Sequence, residues 1–522
     1  MGKDTTVDQS EIKGALSSIG LSVILILGAT FFSQGLGFIT RITMARYLPI
    51  DGYGNVVLGI SLLNLVGIAA LAGLPQAISR YIPRKETQDE RQIVISTSFQ
   101  IVGTFSLVIA LLILLLAEPI AKFVFNNSDL VWVFRIFAGI LPFYALFKLS
   151  IGGFRGYEKT TPQVITDKAL LPGLQLIGIA VFVTLGYNYA GIAFAYAVSF
   201  LLVSAVSIAL IYRLGDFSVR TFFKINSGEQ YRELLVFSIP LAASGAINTI
   251  AKHSDLVVLG IFLSSGPVGV YEISYRMALF VIFIFSPAVG YLLQPLLSRF
   301  DAAEDHKKME QLYSVTTRWV VVASFPVFSL LLLFPEQTLS FFFREEYSRG
   351  ALSLSILAVG FMASRLPGLT GTFLTATGKT KTILYISLAT ATINIGMNII
   401  LIPTLGIYGA AIATATAHIF NNTVQVYIME RKFGIHPFNR NYILPSIFMV
   451  GLFIGIYLSP IQLDRFTFQE GFVTAVGMGV AFLIFVLLTR SVYNVEAELA
   501  ESLLHRVGIS VPISRYLQPF IH

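Results

Sequence analysis

The chain has 522 residues, of which 55% are hydrophobic and only 12% charged, with a mean hydropathy of +0.76. An average globular chain carries about 25% charged residues, so a soluble multidomain protein and a disordered chain are both excluded and bilayer spans set the domain plan. A net charge of +7 over this length is too dilute for nucleic-acid binding and reads as loops facing anionic lipid, and the absence of cysteine excludes disulfides, thiolate chemistry and Cys-ligated metals.

In chain order, residues 1–16 are polar and mixed in charge, and the apolar stretch behind them lacks a small-residue cleavage site, so it reads as a first span rather than a signal peptide. Fourteen candidate spans follow, near 17–40, 55–79, 92–117, 130–153, 163–185, 190–212, 233–263, 268–297, 312–334, 350–375, 382–403, 407–430, 442–460 and 470–489. Pro142, Pro172, Pro240, Pro287, Pro326 and Pro367 fall inside them and are expected to kink their helices. The N-terminus, every second loop and the C-terminus hold most of the loop Lys and Arg. The opposite loops hold only Arg41, Arg46, Lys122, Arg344, Arg349 and Arg465. The positive-inside rule then places both termini in the cytoplasm. Beyond residue 490 a short cytoplasmic helix is expected, capped by Asn494 and stopped at Gly508.

The chain also repeats itself. YLPIDGYGNVV (47–57) matches FLSSGPVGVYE (262–272), pairing Gly54 with Gly269. In a second register, FRGYEKTTP (154–162) matches LTATGKTKT (374–382), and this register continues without gaps until Gly186 meets Gly406. The expected fold is therefore an all-α polytopic membrane protein of about fourteen transmembrane helices, built as two parallel six-helix repeats plus two C-terminal helices. The lobes are 17–213 and 232–430, joined by a cytoplasmic linker 214–231, with helices 13–14 in 431–489 and a cytoplasmic tail in 490–522. Parallel repeats place a substrate path between the halves and imply alternating access.

Ionisable groups inside spans cost at least about 2.5–3.5 kcal/mol each, which makes them functional candidates by default. Lys148 lies in span 4, and Asp167 and Lys168 lie early in span 5. Span 7 carries Lys252, His253 and Asp255, and span 8 carries Glu272 and Arg276 one helical turn apart. Arg318, Arg365 and His418 sit in spans 9, 10 and 12, and Arg41 and Arg46 end span 1. Arg41, Lys252, Asp255, Glu272 and Arg276 are expected at similar depth, converging on one cavity whose cations suit a phosphate or pyrophosphate. Substrate contacts are assigned to Arg41, Arg46, Lys148, Lys252, Arg276, Arg318 and Arg365. Asp167, Asp255 and Glu272 are the candidates for coupling to H⁺ or Na⁺. ATGKT (376–380) resembles the end of a P-loop, but Phe373 stands where the first Gly is required. Asn126-Asn127-Ser128 is a glycosylation sequon on an expected outer loop. Asn394 and Asn398, one turn apart in span 11, either bond across helices or contact sugar, and helix-to-helix glue is the reading preferred. The histidines show no metal spacing, and neither a metal nor a cofactor is expected.

Two segments carry a family resemblance. SQGLGFITRITMARYLPIDGYG (33–54), followed by GLPQAISRYIPR (73–84), resembles the first hairpin of polysaccharide-biosynthesis membrane proteins of the O-antigen flippase type, and NIGMNIILIPTLGIYGAAIATATAH (394–418) resembles their span 11–12 hairpin. These belong to the multidrug/oligosaccharidyl-lipid/polysaccharide exporter superfamily. The resemblance implies a flippase that is not an enzyme, moving a polyprenyl- or dolichyl-(pyro)phosphate-linked oligosaccharide to the outer leaflet of the cell membrane, with pathway glycosyltransferases as partners. It also implies that Arg41 and Arg46 face the central cavity, as basic residues late in span 1 do in lipid II flippases, although the acid often found beside the first is Ile42 here. Two rival readings are a cation-coupled multidrug antiporter, which would need more membrane carboxylates, and a membrane glycosyltransferase or polymerase. The second would need acids in a sizeable outer loop, and the longest, 335–349, offers only Glu336, Glu345 and Glu346.

Overall fold

A computed structural model describes residues 9–215, 227–283, 286–436, 438, 440–459 and 462–489, with side chains described from Gly28 onward except at scattered positions, most of them in 244–292 and 440–464. The expected C-terminal tail and most of the linker, including Arg220 and Lys224, lie outside these residues, as does the Pro287 side chain. The described chain is almost wholly helical and divides into two compact units, Met1–Gly269 and Val270–His522.

The first unit contains α1 (Gln9–Tyr47), α2 (Ile50–Leu71), α3 (Leu74–Tyr81), α4 (Gln88–Pro119), α5 (Leu130–Gly156), α6 (Thr160–Val164), α7 (Leu171–Thr184), α8 (Tyr189–Leu214) and α9 (Gly228–Phe262). Local chemistry explains the ends. Thr87 and Glu90 form a reciprocal capping box at the start of α4, each bonding the other's backbone N–H at 3.3 Å. The expected span 55–79 is instead divided, because Ala72 and Gly73 both take positive φ (44° and 74°) between α2 and α3. Between α6 and α7 the chain widens into a π-turn, Ile165–Leu170. Pro172 follows two residues later, and the wider turn accommodates its ring and its missing donor. α5 packs against α2, α3, α4 and α8, while α9 packs against α2, α3 and α4.

α10 (Ser265–Ala278) crosses the division between the units. The second unit continues with α11 (Phe280–Phe283), α12 (Ser286–Ala302), α13 (His306–Leu333), α14 (Pro335–Phe342), α15 (Ala351–Arg365), α16 (Thr370–Ala376), α17 (Thr380–Leu405), α18 (Ile407–Phe433), α19 (Arg440–Tyr457) and α20 (Phe468–Leu488). α18 packs on α15 and α17, and α13 packs on α15 and α20. A Cβ at Gly360 would lie 2.3 Å from that of Ala415, so α15 and α18 meet through small residues, as membrane helices do.

Among the described residues nine helical segments are long and apolar enough to cross a membrane, or ten if α9, bent by 47° near residue 248, is one span. The protein is a multi-pass membrane protein. The other four expected spans fall on α1, on the interrupted stretch α10–α12, on α18 and on α19, whose apolar run Tyr442–Ile456 is short. Fourteen is therefore not reached among the described residues.

The internal repeat is visible in backbone detail. α5 ends with Glu158 N–H to Arg155 O at 3.0 Å and Lys159 N–H to Phe154 O at 2.9 Å; the matched chain ends with Gly378 N–H to Thr375 O at 3.1 Å and Lys379 N–H to Leu374 O at 2.9 Å. Both are Schellman closures around a positive-φ residue, Glu158 at 56° and Gly378 at 71°. In the first unit, a Cβ on Gly54 would lie 1.8 Å from Ser265 O, and one on Gly269 would lie 3.1 Å from Ile50 O. Ile50 matches Ser265 in the repeat as Gly54 matches Gly269. The contact between the two matched turns is thus reciprocal.

Candidate functional site

In the first unit the cluster that stands out is Lys148, Asp167 and Lys168. Lys148 on α5 approaches Asp167 Oδ1 at 3.5 Å, and Lys168 reaches Asp167 Oδ2 at 2.9 Å. Asp167 is 15% exposed and the lysines 35% and 30%, so the triad is half-buried and carries one surplus positive charge. Its anion and one cation sit on the π-turn that Pro172 follows, a distortion frequent at functional sites. Lys148 Nζ also lies 5.2 Å from the Phe147 ring centroid. Sequence reading placed Lys148 and Asp167 on separate spans without pairing them; the packing of α5 against α6 joins them.

The other candidates in this unit are more dispersed. Arg41 is half-buried and donates from Nη1 to Gly37 O at 3.0 Å, while Arg46 is exposed in the last turn of α1. On α9, Lys252 is exposed and Asp255 is buried, with Ser254 Oγ donating to its Oδ1 at 3.4 Å. The sequon does not simply display its side chains outward. Asn127 Nδ2 donates to Asn55 Oδ1 at 3.1 Å and to Ser265 Oγ at 2.9 Å, and Ser265 Oγ donates to Asn55 Oδ1 at 2.6 Å. This network locks the repeat-related turn to α2.

In the second unit, Glu272 is buried and paired with Arg276 at 2.8 Å, as the one-turn spacing anticipates. Arg318 on α13 is 5% exposed. Asn398 Nδ2 donates to Asn394 Oδ1 at 3.2 Å, and Asn394 Nδ2 reaches Thr414 Oγ1 at 3.4 Å, so the expected bond across helices joins α17 to α18.

Arg365 marks a break. α15 stops there and α16 restarts at Thr370, with Pro367 and the positive φ of Gly368 (85°) between them. The carbonyls freed by the break are satisfied from neighbouring helices. Tyr442 O–H donates to Leu366 O at 2.5 Å, and Tyr313 O–H donates to Pro367 O. Beside the break opens a cavity of about 290 Å³ lined by Arg365, Thr370, Thr390, Asn421, Asn422 and Gln425 among others. Sequence reading picked Arg365 but missed the uncharged members. Their signal is three amides within about one turn of α18, Asn421, Asn422 and Gln425. A second cavity, about 450 Å³ and apolar, runs along α19 between Phe438 and Ile454.

A family model described as polysaccharide biosynthesis protein matches residues 19–301, and one described as lipid II flippase MurJ matches residues 227–482. The chain belongs to the polysaccharide biosynthesis protein family. A putative O-antigen transporter of Shigella flexneri is 24% identical over 75% of this chain and 93% of its own length. A probable low-salt glycan biosynthesis flippase, Agl15 of Haloferax volcanii, is 25% identical over 83% of this chain and 89% of its own. Among solved structures, lipid II flippase MurJ in an inward closed conformation superposes with a TM-score of 0.68 at 16% identity, covering 89% of this chain and 98% of that one. An inward-facing multidrug resistance MATE transporter of the MOP superfamily gives 0.63 at 17%, covering 79% and 98%. At these identities the superpositions establish the fold, which this chain shares with both transporters.

Proposed function

We propose that this member of the polysaccharide biosynthesis protein family is a flippase. It carries an oligosaccharide linked to polyprenyl or dolichyl phosphate or pyrophosphate from the cytoplasmic to the outer leaflet of the cell membrane, by alternating access, with residues 17–213 and 232–430 as its repeated lobes and both termini cytoplasmic. The observation that carries this reading is the surplus of cations held within membrane helices. The Lys148–Asp167–Lys168 triad has two bases to one acid, and Arg365 lines a cavity with no carboxylate among its described lining residues. Such sites favour phosphate over an organic cation, and the transported group needs a polar lining while its tail needs an apolar one. The groove along α19 supplies an apolar surface of isoprenoid character.

Arg41, Arg46, Lys252, Arg276 and Arg318 are further contacts in this reading, and glycosyltransferases of the same pathway deliver the substrate. Coupling to H⁺ or Na⁺ is assigned to the membrane acids Asp167, Asp255 and Glu272, of which Asp167 and Glu272 hold basic partners and Asp255 is buried on α9. Sodium- and pH-independent transport by both wild type and Asp255→Asn would remove that assignment.

The test is transbilayer movement of a fluorescent polyprenyl-pyrophosphate-linked glycan in proteoliposomes. Wild type is expected to flip it, and folded Lys148→Gln to slow it at least tenfold. Exchange of organic cations for protons or sodium without glycolipid movement would replace the flippase reading with an antiporter.

A further inference from the structure

The cavity at the break between α15 and α16 has features of a ligand site. Arg365 Nε is buried with no hydrogen-bond partner among the described residues. A buried donor left unpaired costs about 1–3 kcal/mol, and a cation at membrane depth costs more, so the arginine is set for an anion the protein itself does not supply. Around it the polar groups are already ordered. Thr370 O–H reaches Gln425 Oε1 at 2.7 Å, Gln425 Nε2 donates to Asn421 Oδ1 at 2.7 Å, and Asn421 Nδ2 donates to Thr390 Oγ1 at 3.0 Å. This chain of bonds engages the oxygen and the nitrogen of each amide once, and each amide retains a second N–H donor and a second oxygen lone pair. The volume of about 290 Å³ lies at the small end of ligand sites, sufficient for a single sugar ring rather than an oligosaccharide.

The repeat adds an independent argument. Leu366–Leu369 matches Leu146–Leu149 in the first unit, where α5 runs unbroken and carries Lys148 at the position of Gly368. One copy thus keeps a continuous helix with a pair-neutralised lysine. The other breaks the helix, opens a cavity and places beside it an arginine whose Nε has no partner among the described residues. Helix–helix packing does not require that divergence.

The geometry points to a subsite for one acidic sugar unit: Arg365 takes an oxyanion, and Thr370, Asn421, Asn422 and Gln425 take the ring hydroxyls. The oxyanion is either the carboxylate of a uronic acid within the glycan or the phosphate joining the first sugar to its lipid. The inference rests on the flippase reading for its biological setting, but binding tests it separately.

Equilibrium dialysis of the full chain in nanodiscs would measure glucuronate, glucose 1-phosphate, glucose and inorganic phosphate. Glucuronate or glucose 1-phosphate is expected to bind at least tenfold more tightly than glucose and than phosphate, and the tighter of the two identifies the source of the oxyanion. Arg365→Gln should weaken that ligand at least tenfold. Gly371→Leu, which directs bulk at Gln425 from a position where a Cβ lies 3.4 Å from its Oε1, should weaken it similarly while leaving Arg365 in place. Thermal unfolding identifies variants that remain folded. Binding that is absent, unchanged in both folded variants, or matched by inorganic phosphate alone overturns the subsite. Retained glycolipid flipping with such a result leaves the flippase reading standing, whereas sugar-acid binding lost in both variants, without any flipping, leaves the subsite and removes the flippase.

Discussion

Asp167 accepts from two lysines, and removing the acid is therefore a different experiment from removing a base. Asp167→Asn leaves Lys148 and Lys168 facing each other without their shared anion. Breaking a buried pair costs about 3–5 kcal/mol, and the roughly one-third exposure of the lysines reduces this to about 1–2 kcal/mol. Lys148→Met with Asp167→Leu removes one base with the acid and leaves Lys168 alone on the π-turn, free to reach solvent along its own stem. The double variant is expected to recover most of the thermal stability lost by Asp167→Asn yet to flip at least tenfold more slowly than wild type. Paired melting and flipping measurements decide this. A double variant that stays folded and flips at the wild-type rate would mean that the triad is a structural device and not a substrate contact.

At the level of elements, the turns carry more information than the helices. The two repeat-related turns meet through Gly54 and Gly269, but the approaches are unequal, 1.8 Å and 3.1 Å for an added Cβ. Gly269→Ala asks its neighbours for a few tenths of an ångström and is expected to cost at most about 1 kcal/mol. Gly54→Ala drives a methyl into the Ser265 carbonyl and exceeds the usual 1–3 kcal/mol of overpacking. Comparing the two melting temperatures, or folded yields, tests this order, and equal losses would contradict the unequal closeness of the two approaches. At the other break, Tyr442→Phe leaves the Leu366 carbonyl without the hydroxyl it accepts from, for a loss of about 1–3 kcal/mol. The α15–α16 break also shows where sequence reading fell short. Pro367 announced a kink, but a proline alone does not distinguish a bent helix from an opened one. The difference lies in Tyr313 and Tyr442, which arrive from helices distant in sequence. Asn421, Asn422 and Gln425 went unnoticed for a related reason: scattered amides barely lower the hydropathy of a membrane segment, whereas a single arginine does so visibly.

At the scale of the whole molecule, hydrophobic runs, loop charge and self-similarity were legible because each is a pattern summed over many residues. Gly186 and Gly406, matched by the repeat, both occupy positive-φ turns (79° and 59°) between antiparallel helices. Lys159 and Lys379 both precede a helix start after the same Schellman closure. The cavity residues were not legible in this way, since they come together only once α15, α16, α17 and α18 are packed. The repeat makes a sharp claim about topology: matched loops lie on the same side of the membrane, because six spans return the chain to the side from which it started. The chain contains no cysteine, so single cysteines can be introduced without a cysteine-free background. Lys159→Cys and Lys381→Cys, both exposed, are expected to react with a membrane-impermeant maleimide only after the cells are opened. Tyr187→Cys and Tyr408→Cys, at 53% and 37% exposure in the wild-type side chains, should react in intact cells. Labelling of the two positions in a pair of matched loops from opposite sides would break the parallel repeat, and reaction of both lysine positions in intact cells would invert the orientation that loop charge assigns.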